Sequence, residues 1–307
     1  MSHVPVIDVA GLTSDDPRVR SSVAAEIGEA CRTIGFLSVT GHGVPDEVID
    51  AAFAATRQVF DLSFDEKMKS AWDDQHPDRG YDPPGSQRLG ADAAPDLKEA
   101  WAFSPERFAG SSRMHGANQW PDLPSFRAPI ERYHNEAMRL CERILGAMAL
   151  SLDLDEHHFA EFHQQPICTL RIHHYPPRPD DAAENEFGTG AHTDWGAVTV
   201  LAQDASGSLQ VKAKDGSWVD VPPTPGAFVI NVGDLLSRWT NDRYVSTEHR
   251  VLGVPGVDRH SIACFFDLDE DAVIEVLPTC ISAADPARYG PITAGDYIEQ
   301  RFLASIS

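Results

Sequence analysis

From Ile167 onward the chain breaks into short β-prone runs at close intervals, and this rhythm limits the fold more than any other feature. The runs lie at 168–175, 197–203, 209–211, 218–221, 227–232, 246–252, 260–266 and 273–276. Turn residues separate them, among them Asp215-Gly216 and Pro225-Gly226. A parallel sheet needs a crossover, usually a helix, between successive strands. No such amphipathic helix pattern lies between these runs. The spacing therefore predicts a sandwich or barrel, the jelly-roll type included.

The first half reads differently. Residues 5–7 and 36–39 are strand candidates, the second leading into the turn Thr40-Gly41-His42-Gly43. Residues 23–34 carry the apolar spacing of an amphipathic helix. Pro45-Asp46-Glu47 opens another helix, with proline and acids in its first turn. Ser63-Phe64-Asp65-Glu66 has the pattern of a capping box. The clearest helix spans 125–152, where Ile130, Tyr133, Ala137, Cys141, Ile144, Leu145 and Met148 form one stripe and belong to the core. Residues 73–96, rich in Asp, Pro and Gly, are expected to form a long surface loop of the kind that serves as a lid or binding loop. A closing helix is expected at 296–304.

The expected architecture is mainly β with α. It is a single unit over 1–307, with a helical and strand region over about 1–110, a β core over about 165–280 and a C-terminal helix within 294–307. Hydrophobic residues make up 42% of the chain, enough for a core without disulfide staples. Five cysteines, an odd number with no C-x-x-C pair, point to reduced thiols and a cytoplasmic setting, and away from a cysteine zinc site. No signal peptide and no apolar run of membrane-spanning length is visible, so no membrane partner is expected. A net charge of −22 repels phosphate backbones and excludes nucleic acid as the expected partner. It does not settle the sign of a small substrate, because a local basic patch can still attract an acid. The expected state is a monomer or weak homo-oligomer.

Chemistry concentrates in the second half. In His192-Thr193-Asp194, period-two alternation puts an imidazole and a carboxylate on one face. His249 follows on a later predicted strand. Two histidines and one carboxylate make the facial triad of non-haem iron(II) sites, which leaves coordination positions open. A second His-x-Asp, His76-Pro77-Asp78, sits in the acidic loop with a proline between its members and is the weaker candidate. On the strand after His249, Arg259 and Ser261 share a face, and a guanidinium fork beside a hydroxyl grips a carboxylate. Taken alone, Arg259 reads as an exposed edge residue; taken with the triad it does not. His173 shares a face with Tyr175 and Arg171, either lining the pocket or hydrogen-bonded inside, while His174 faces away. Trp195 is a pocket wall or a packing residue, and Phe266 is a candidate substrate contact. No nucleophilic triad, Walker A loop or dinucleotide fingerprint is present.

With these residues in place, the chain resembles the iron(II)- and 2-oxoglutarate-dependent oxygenases, in the branch typified by isopenicillin N synthase. Besides His192-x-Asp194…His249 and Arg259-x-Ser261, the resemblance rests on Pro5-Val6-Ile7-Asp8, Gly35-Phe36…His42-Gly43-Val44, Arg79-Gly80-Tyr81, Asp96-Leu97-Lys98-Glu99, Tyr175-Pro176-Pro177, Asn231-Val232-Gly233-Asp234 and Thr240-Asn241-Asp242-Arg243-Tyr244. It covers nearly the whole chain. It implies a distorted double-stranded β-helix, or jelly roll, flanked by helices. It implies Fe(II) on His192, Asp194 and His249, and the distal carboxylate of 2-oxoglutarate on Arg259 and Ser261 with help from Tyr175. Dioxygen would be the second cosubstrate and ascorbate a reductant. Arg79, Tyr81 and Lys98 fall where the family shapes its substrate mouth, although Lys98 also reads as an ordinary surface lysine.

The implied reaction is hydroxylation, desaturation or ring closure of a small molecule, with release of succinate and CO2, in a setting such as secondary metabolism. Two alternatives stay open. One is an iron oxidase that uses no 2-oxoglutarate, since isopenicillin N synthase and the plant ethylene-forming oxidase also carry an Arg-x-Ser pair. The other is a catalytically silent jelly-roll binding protein, which the intact triad argues against.

Overall fold

The structure is a computed structural model describing residues 3–73, 79–87, 95–106, 116–179 and 187–306. Strand β1 (Val6–Asp8) leads through helix α1 (Pro17–Thr33) to β2 (Phe36–Thr40), which pairs with it in parallel. Helix α1 begins earlier than its apolar stripe, because the Asp16 side chain accepts the Arg18 N–H and Pro17 fits the first turn. Helix α2 (Asp46–Phe60) follows, and then α3 (Phe64–Met68), whose expected cap is present: the Ser63 hydroxyl accepts the Glu66 N–H at 3.3 Å.

The expected surface loop at 73–96 is partly wrong. Within it, β3 (Gly80–Asp82) is a wholly buried strand, paired with β4 (Glu99–Phe103). Three residues are too few to show a period, and the polar member Asp82 is buried because Arg171 pairs with it. His76-Pro77-Asp78 lies outside the described residues. The long helix appears as α4 (Arg127–Ser151), with its predicted stripe buried.

The second half supplies β5 (Pro166–Tyr175), β6 (Thr189–His192), β7 (Val198–Gln203), β8 (Leu209–Lys212), β9 (Trp218–Asp220) and β10 (Phe228–Val232). Helix α5 (Asp234–Trp239), β11 (His249–Val251), β12 (Arg259–Asp269), β13 (Val273–Ile274), β14 (Ile292–Thr293) and α6 (Ala294–Ile306) complete it. A major sheet has the order β1-β2-β10-β7-β12-β5-β4-β3, and a minor sheet the order β6-β11-β8-β9. Apart from β1 with β2, the pairings in both sheets are antiparallel among the described residues. This is the jelly roll that the strand rhythm predicted.

Helices α1, α2 and α4 cover the outer face of the major sheet, and the larger apolar core lies between. The alternation of β12 divides its side chains. Ile262, Cys264, Phe266 and Leu268 enter that core, while Arg259, Ser261, Ala263, Phe265 and Asp267 line a cavity on the inner face. On β5, Leu170 and Ile172 likewise enter the core, and Thr169, Arg171, His173 and Tyr175 line the cavity. Strands β6, β8 and β11 close the cavity from the other side.

Candidate metal centre and active site

His192 ends β6 and His249 begins β11, and the two are register partners. His192 Nδ1 lies 2.8 Å from the Gly190 carbonyl oxygen, and His249 Nδ1 lies 3.1 Å from that of Thr247. A carbonyl only accepts, so each Nδ1 carries the proton and each Nε2 keeps a lone pair. Both Nε2 atoms face Asp194 Oδ1, at 3.7 Å from His192 and 3.5 Å from His249. The other carboxylate oxygen, Oδ2, accepts from Thr199 Oγ1 at 2.6 Å and from Asn231 Nδ2 at 2.7 Å. One oxygen and two nitrogens are thus left facing a common point, the donor set of a 2-His-1-carboxylate metal site.

Electrostatics keep Asp194 and His192 in ligating form. Burial would raise the Asp194 carboxyl, but the two imidazoles and the bonds from Asn231 and Thr199 outweigh it and hold the pKa below the usual value. Burial, and then the neighbouring His249, lowers the pKa of His192 and keeps it neutral.

The period-two argument for His192 and Asp194 does not describe how they meet. Strand β6 stops at His192, and Thr193 and Asp194 lie beyond it. The start of α5 holds this segment instead. Asp234 N–H donates to the Asp194 carbonyl at 2.8 Å, Leu235 N–H to that of Trp195 at 3.1 Å, and Gly233 N–H to that of Ala197 at 2.9 Å. A Cβ on Gly233 would lie 2.2 Å from the Gly196 oxygen, so the approach requires glycine there. The Asp234 side chain accepts from Thr193 Oγ1 at 3.1 Å and Ser246 Oγ at 2.6 Å, and pairs with Arg301 at 3.1 Å. Sequence reasoning does not single out Asn231, Thr199 and Asp234 as supporting residues, although Asn231-Val232-Gly233-Asp234 is a visible segment of the resemblance.

Arg259 and Ser261 are almost fully buried at the cavity wall. Arg259 Nε–H donates to the Gly207 carbonyl at 2.8 Å, Nη1 lies 3.3 Å from Ser261 Oγ, and the guanidinium lies 4.5 Å from the centre of the Tyr175 ring. Tyr175 is opposite Arg259 in the β5–β12 register, and its hydroxyl accepts from Thr189 at 3.4 Å. A fixed guanidinium beside a hydroxyl is a receptor for a carboxylate.

Residues 166–268 match the family described as the 2OG-Fe(II) oxygenase superfamily, and residues 4–123 match one described as non-haem dioxygenase in morphine synthesis N-terminal. The chain is 36% identical to the 2-oxoglutarate-Fe(II) type oxidoreductase hxnY of Emericella nidulans, over 98% of this chain and 90% of that protein. This chain belongs to the 2OG-Fe(II) oxygenases. A full-length Neurospora crassa protein solved in complex with alpha-KG and thymine superposes with a TM-score of 0.89 at 29% identity, covering 98% of this chain and 96% of that one. JOX2 in complex with 2OG, Fe and JA gives 0.82 at 31% identity, covering 98% and 84%. The oxygenase is accordingly a non-haem dioxygenase that takes Fe(II) and 2-oxoglutarate, and the oxidase without 2-oxoglutarate is not favoured.

The oxygenase cavity has a volume of about 310 Å³ and includes the inner faces of the triad and of Arg259 and Ser261. His173, Trp195 and Arg79 also line it. Two expected substrate contacts do not. Phe266 is fully buried on the helix side of β12, stacked on His163 at 5.0 Å, and the inward residue is its neighbour Phe265. Counting in twos from Arg259 would have chosen Phe265. Tyr81 is also fully buried, its hydroxyl donating to Glu99 Oε2 at 2.5 Å, while Gly80 and Asp82 on either side line the cavity. Lys98 is not a surface lysine: it is buried at the cavity wall, with Nζ 2.6 Å from Asp96 Oδ2. His174 faces out of the cavity, as alternation predicted, and is held by Glu99 and Asp258, each at 2.7 Å. His42, in the turn after β2, is bonded to the Gly226 carbonyl at 2.8 Å and lies outside the cavity lining.

Proposed function

We propose that His192, Asp194 and His249 hold Fe(II), and that Arg259 and Ser261, with Tyr175 against the guanidinium, receive the distal carboxylate of 2-oxoglutarate. A small molecule then enters beside the metal and is hydroxylated, desaturated or closed into a ring. One observation carries this reading. Every atom of the triad that could turn elsewhere is already occupied, each Nδ1 by a carbonyl and Asp194 Oδ2 by Asn231 and Thr199, so the three remaining donor atoms face one point.

Bound iron(II) supplies the reduction of dioxygen, coupled to oxidative decarboxylation of 2-oxoglutarate to succinate and CO2. The chain supplies positioning. The Gly207 carbonyl fixes Arg259 through Nε, leaving its outer nitrogens and Ser261 Oγ for the cosubstrate. The apolar side chains Leu209, Val251 and Phe36 limit water around the clamp. Thymine and JA, named with the similar structures, support a small-molecule substrate. The five buried free cysteines support a reducing, cytoplasmic setting, and the relatives named 2-oxoglutarate-dependent dioxygenases support oxidation of a small molecule.

The test is the fate of 2-oxoglutarate. Protein supplied with Fe(II), 2-oxoglutarate and oxygen should release succinate in step with oxygen uptake, and chelation of iron should stop it. Oxygen uptake without succinate, in the presence of an oxidisable substrate, would instead favour the oxidase reading.

A further inference from the structure

One wall of the cavity carries an arginine and a histidine side by side. On β5, Arg171 and His173 occupy successive inward positions, with Tyr175 of the cosubstrate clamp next in the row. Arg171 gives Nη2–H to Asp82 Oδ2, and Asp82 is held in turn by Gln87 at 3.3 Å and Ser86 at 3.4 Å. The Nε of Arg171 is buried and has no hydrogen-bond partner among the described residues, and the same is true of His173 Nδ1. His173 is only 7% exposed. Buried donors and acceptors are nearly always paired, so two unpaired ones side by side on a cavity wall mark a place where a ligand completes the bonding.

The sheet leaves space above them. Arg171 is flanked in register by Ala263 and Ala102, and His173 by Ser261 and Ala100. Phe265, the next inward residue of β12 after Ala263, adds an apolar surface. Arg171 stands four residues from Tyr175, or roughly 13 Å along an extended strand, so a group on Arg171 does not compete with one at the Arg259 clamp.

The charge has a sign. His173 is held neutral by burial first, and then by the nearby cations Lys98, Arg171 and Arg259. Lys98 pairs with Asp96 and Arg171 with Asp82, and the carboxylates Asp194, Asp267 and Glu270 also line the cavity, so it is the open Nε of Arg171, not an excess of cations, that gives this position its affinity for an anion.

We propose that the primary substrate is a small carboxylic acid whose carboxylate is received by Arg171, with His173 as a second hydrogen-bonding contact and Phe265 against its body. This rests on the dioxygenase reading above, and it names the substrate class for that same cavity. Neutral His173 offers one donor and one acceptor, so it accommodates a hydroxyl or carbonyl elsewhere on the acid.

The experiment is a set of calorimetric titrations of the protein loaded with Fe(II) and saturating 2-oxoglutarate under anaerobic conditions. The probes are benzoate and cyclohexanecarboxylate, each beside its neutral amide, with benzylamine as the cationic counterpart. The acids should bind at least about tenfold more tightly than their amides, and the amine should not bind. Arg171→Gln should erase that preference and Arg171→Lys should keep part of it. The double variant Arg171→Gln, Asp82→Asn removes the pair without stranding a charge and should behave as Arg171→Gln does. Amides or the amine binding as well as the acids, no acid binding at all, or a preference that survives in the double variant would each overturn the proposal. The 2-oxoglutarate titration of the same protein is read separately, so a fault in the cosubstrate assignment appears there and not in the acid-to-amide ratio.

Discussion

His192 and His249 face each other across the pairing of β6 with β11, ring centroids 4.3 Å apart, and each gives its Nδ1–H to the carbonyl two residues before it. The same local device is used twice. It orients both rings through the backbone and leaves both Nε2 atoms toward Asp194, so the placement of the two imidazoles does not depend on neighbouring side chains.

Asp194 is oriented by side chains, and there the site is vulnerable. Asn231→Leu removes the 2.7 Å bond to Oδ2 and lets the carboxylate rotate. Loss of an outer-shell partner of this kind lowers metal affinity by about 10–100-fold. Anaerobic Fe(II) titration of the variant should show a drop of that size, while Thr199→Val, which removes the 2.6 Å bond, should lower affinity in the same direction.

Arg259→Met should weaken 2-oxoglutarate binding by about 2–4 kcal/mol, the usual cost of truncating one side of a buried hydrogen-bonded charge pair. Calorimetry on the iron-loaded protein reads this directly. Equal affinity in the variant and the parent would remove Arg259 from the clamp.

The neighbours Phe265 and Phe266 should separate function from stability. Phe266 is fully buried in the helix-side core, so Phe266→Ala should cost roughly 3–5 kcal/mol of folding stability in chemical denaturation. Phe265 lines the cavity, and Phe265→Ala should raise the substrate KM while costing roughly 1–2 kcal/mol. Reversed behaviour would mean that β12 is read with the wrong parity.

The contrast between these two residues shows what sequence could reveal. The triad and the Arg259-x-Ser261 pair were legible because few residue types can hold a metal or grip a carboxylate, and their order along the chain is restrictive. Strand rhythm and the α4 stripe were legible because burial imposes a period. The cavity wall was not. Many residue types can line a pocket, so choosing Phe266 over Phe265 depended on one step of parity, and Tyr81 sat in a strand too short to show any. Lys98 looked exposed because nothing in sequence marks Asp96 as its buried partner. Strand β6, Thr-Gly-Ala-His, lacks β-branched bulk beyond its first residue and gives no strand signal, although it carries a ligand.

His174 makes a pH-dependent contribution away from the metal. Burial lowers its pKa, but hydrogen bonds to Glu99 and Asp258 outweigh this and raise it above the ordinary histidine value. Its stabilising contribution is therefore complete below the unfolded pKa, about 6.5, and is lost as pH rises through the raised folded value. The Tm difference between the parent and His174→Asn should shrink with increasing pH across that window. A difference that grows with pH would contradict the assignment.

The most direct test of the central claim is the iron content of the chain. Under anaerobic conditions, the parent protein should bind one equivalent of Fe(II), and Asp194→Ala should bind essentially none while keeping its folded circular dichroism spectrum. A folded Asp194→Ala variant that retains a full equivalent of iron at unchanged affinity would contradict the assignment of His192, Asp194 and His249 as the metal centre.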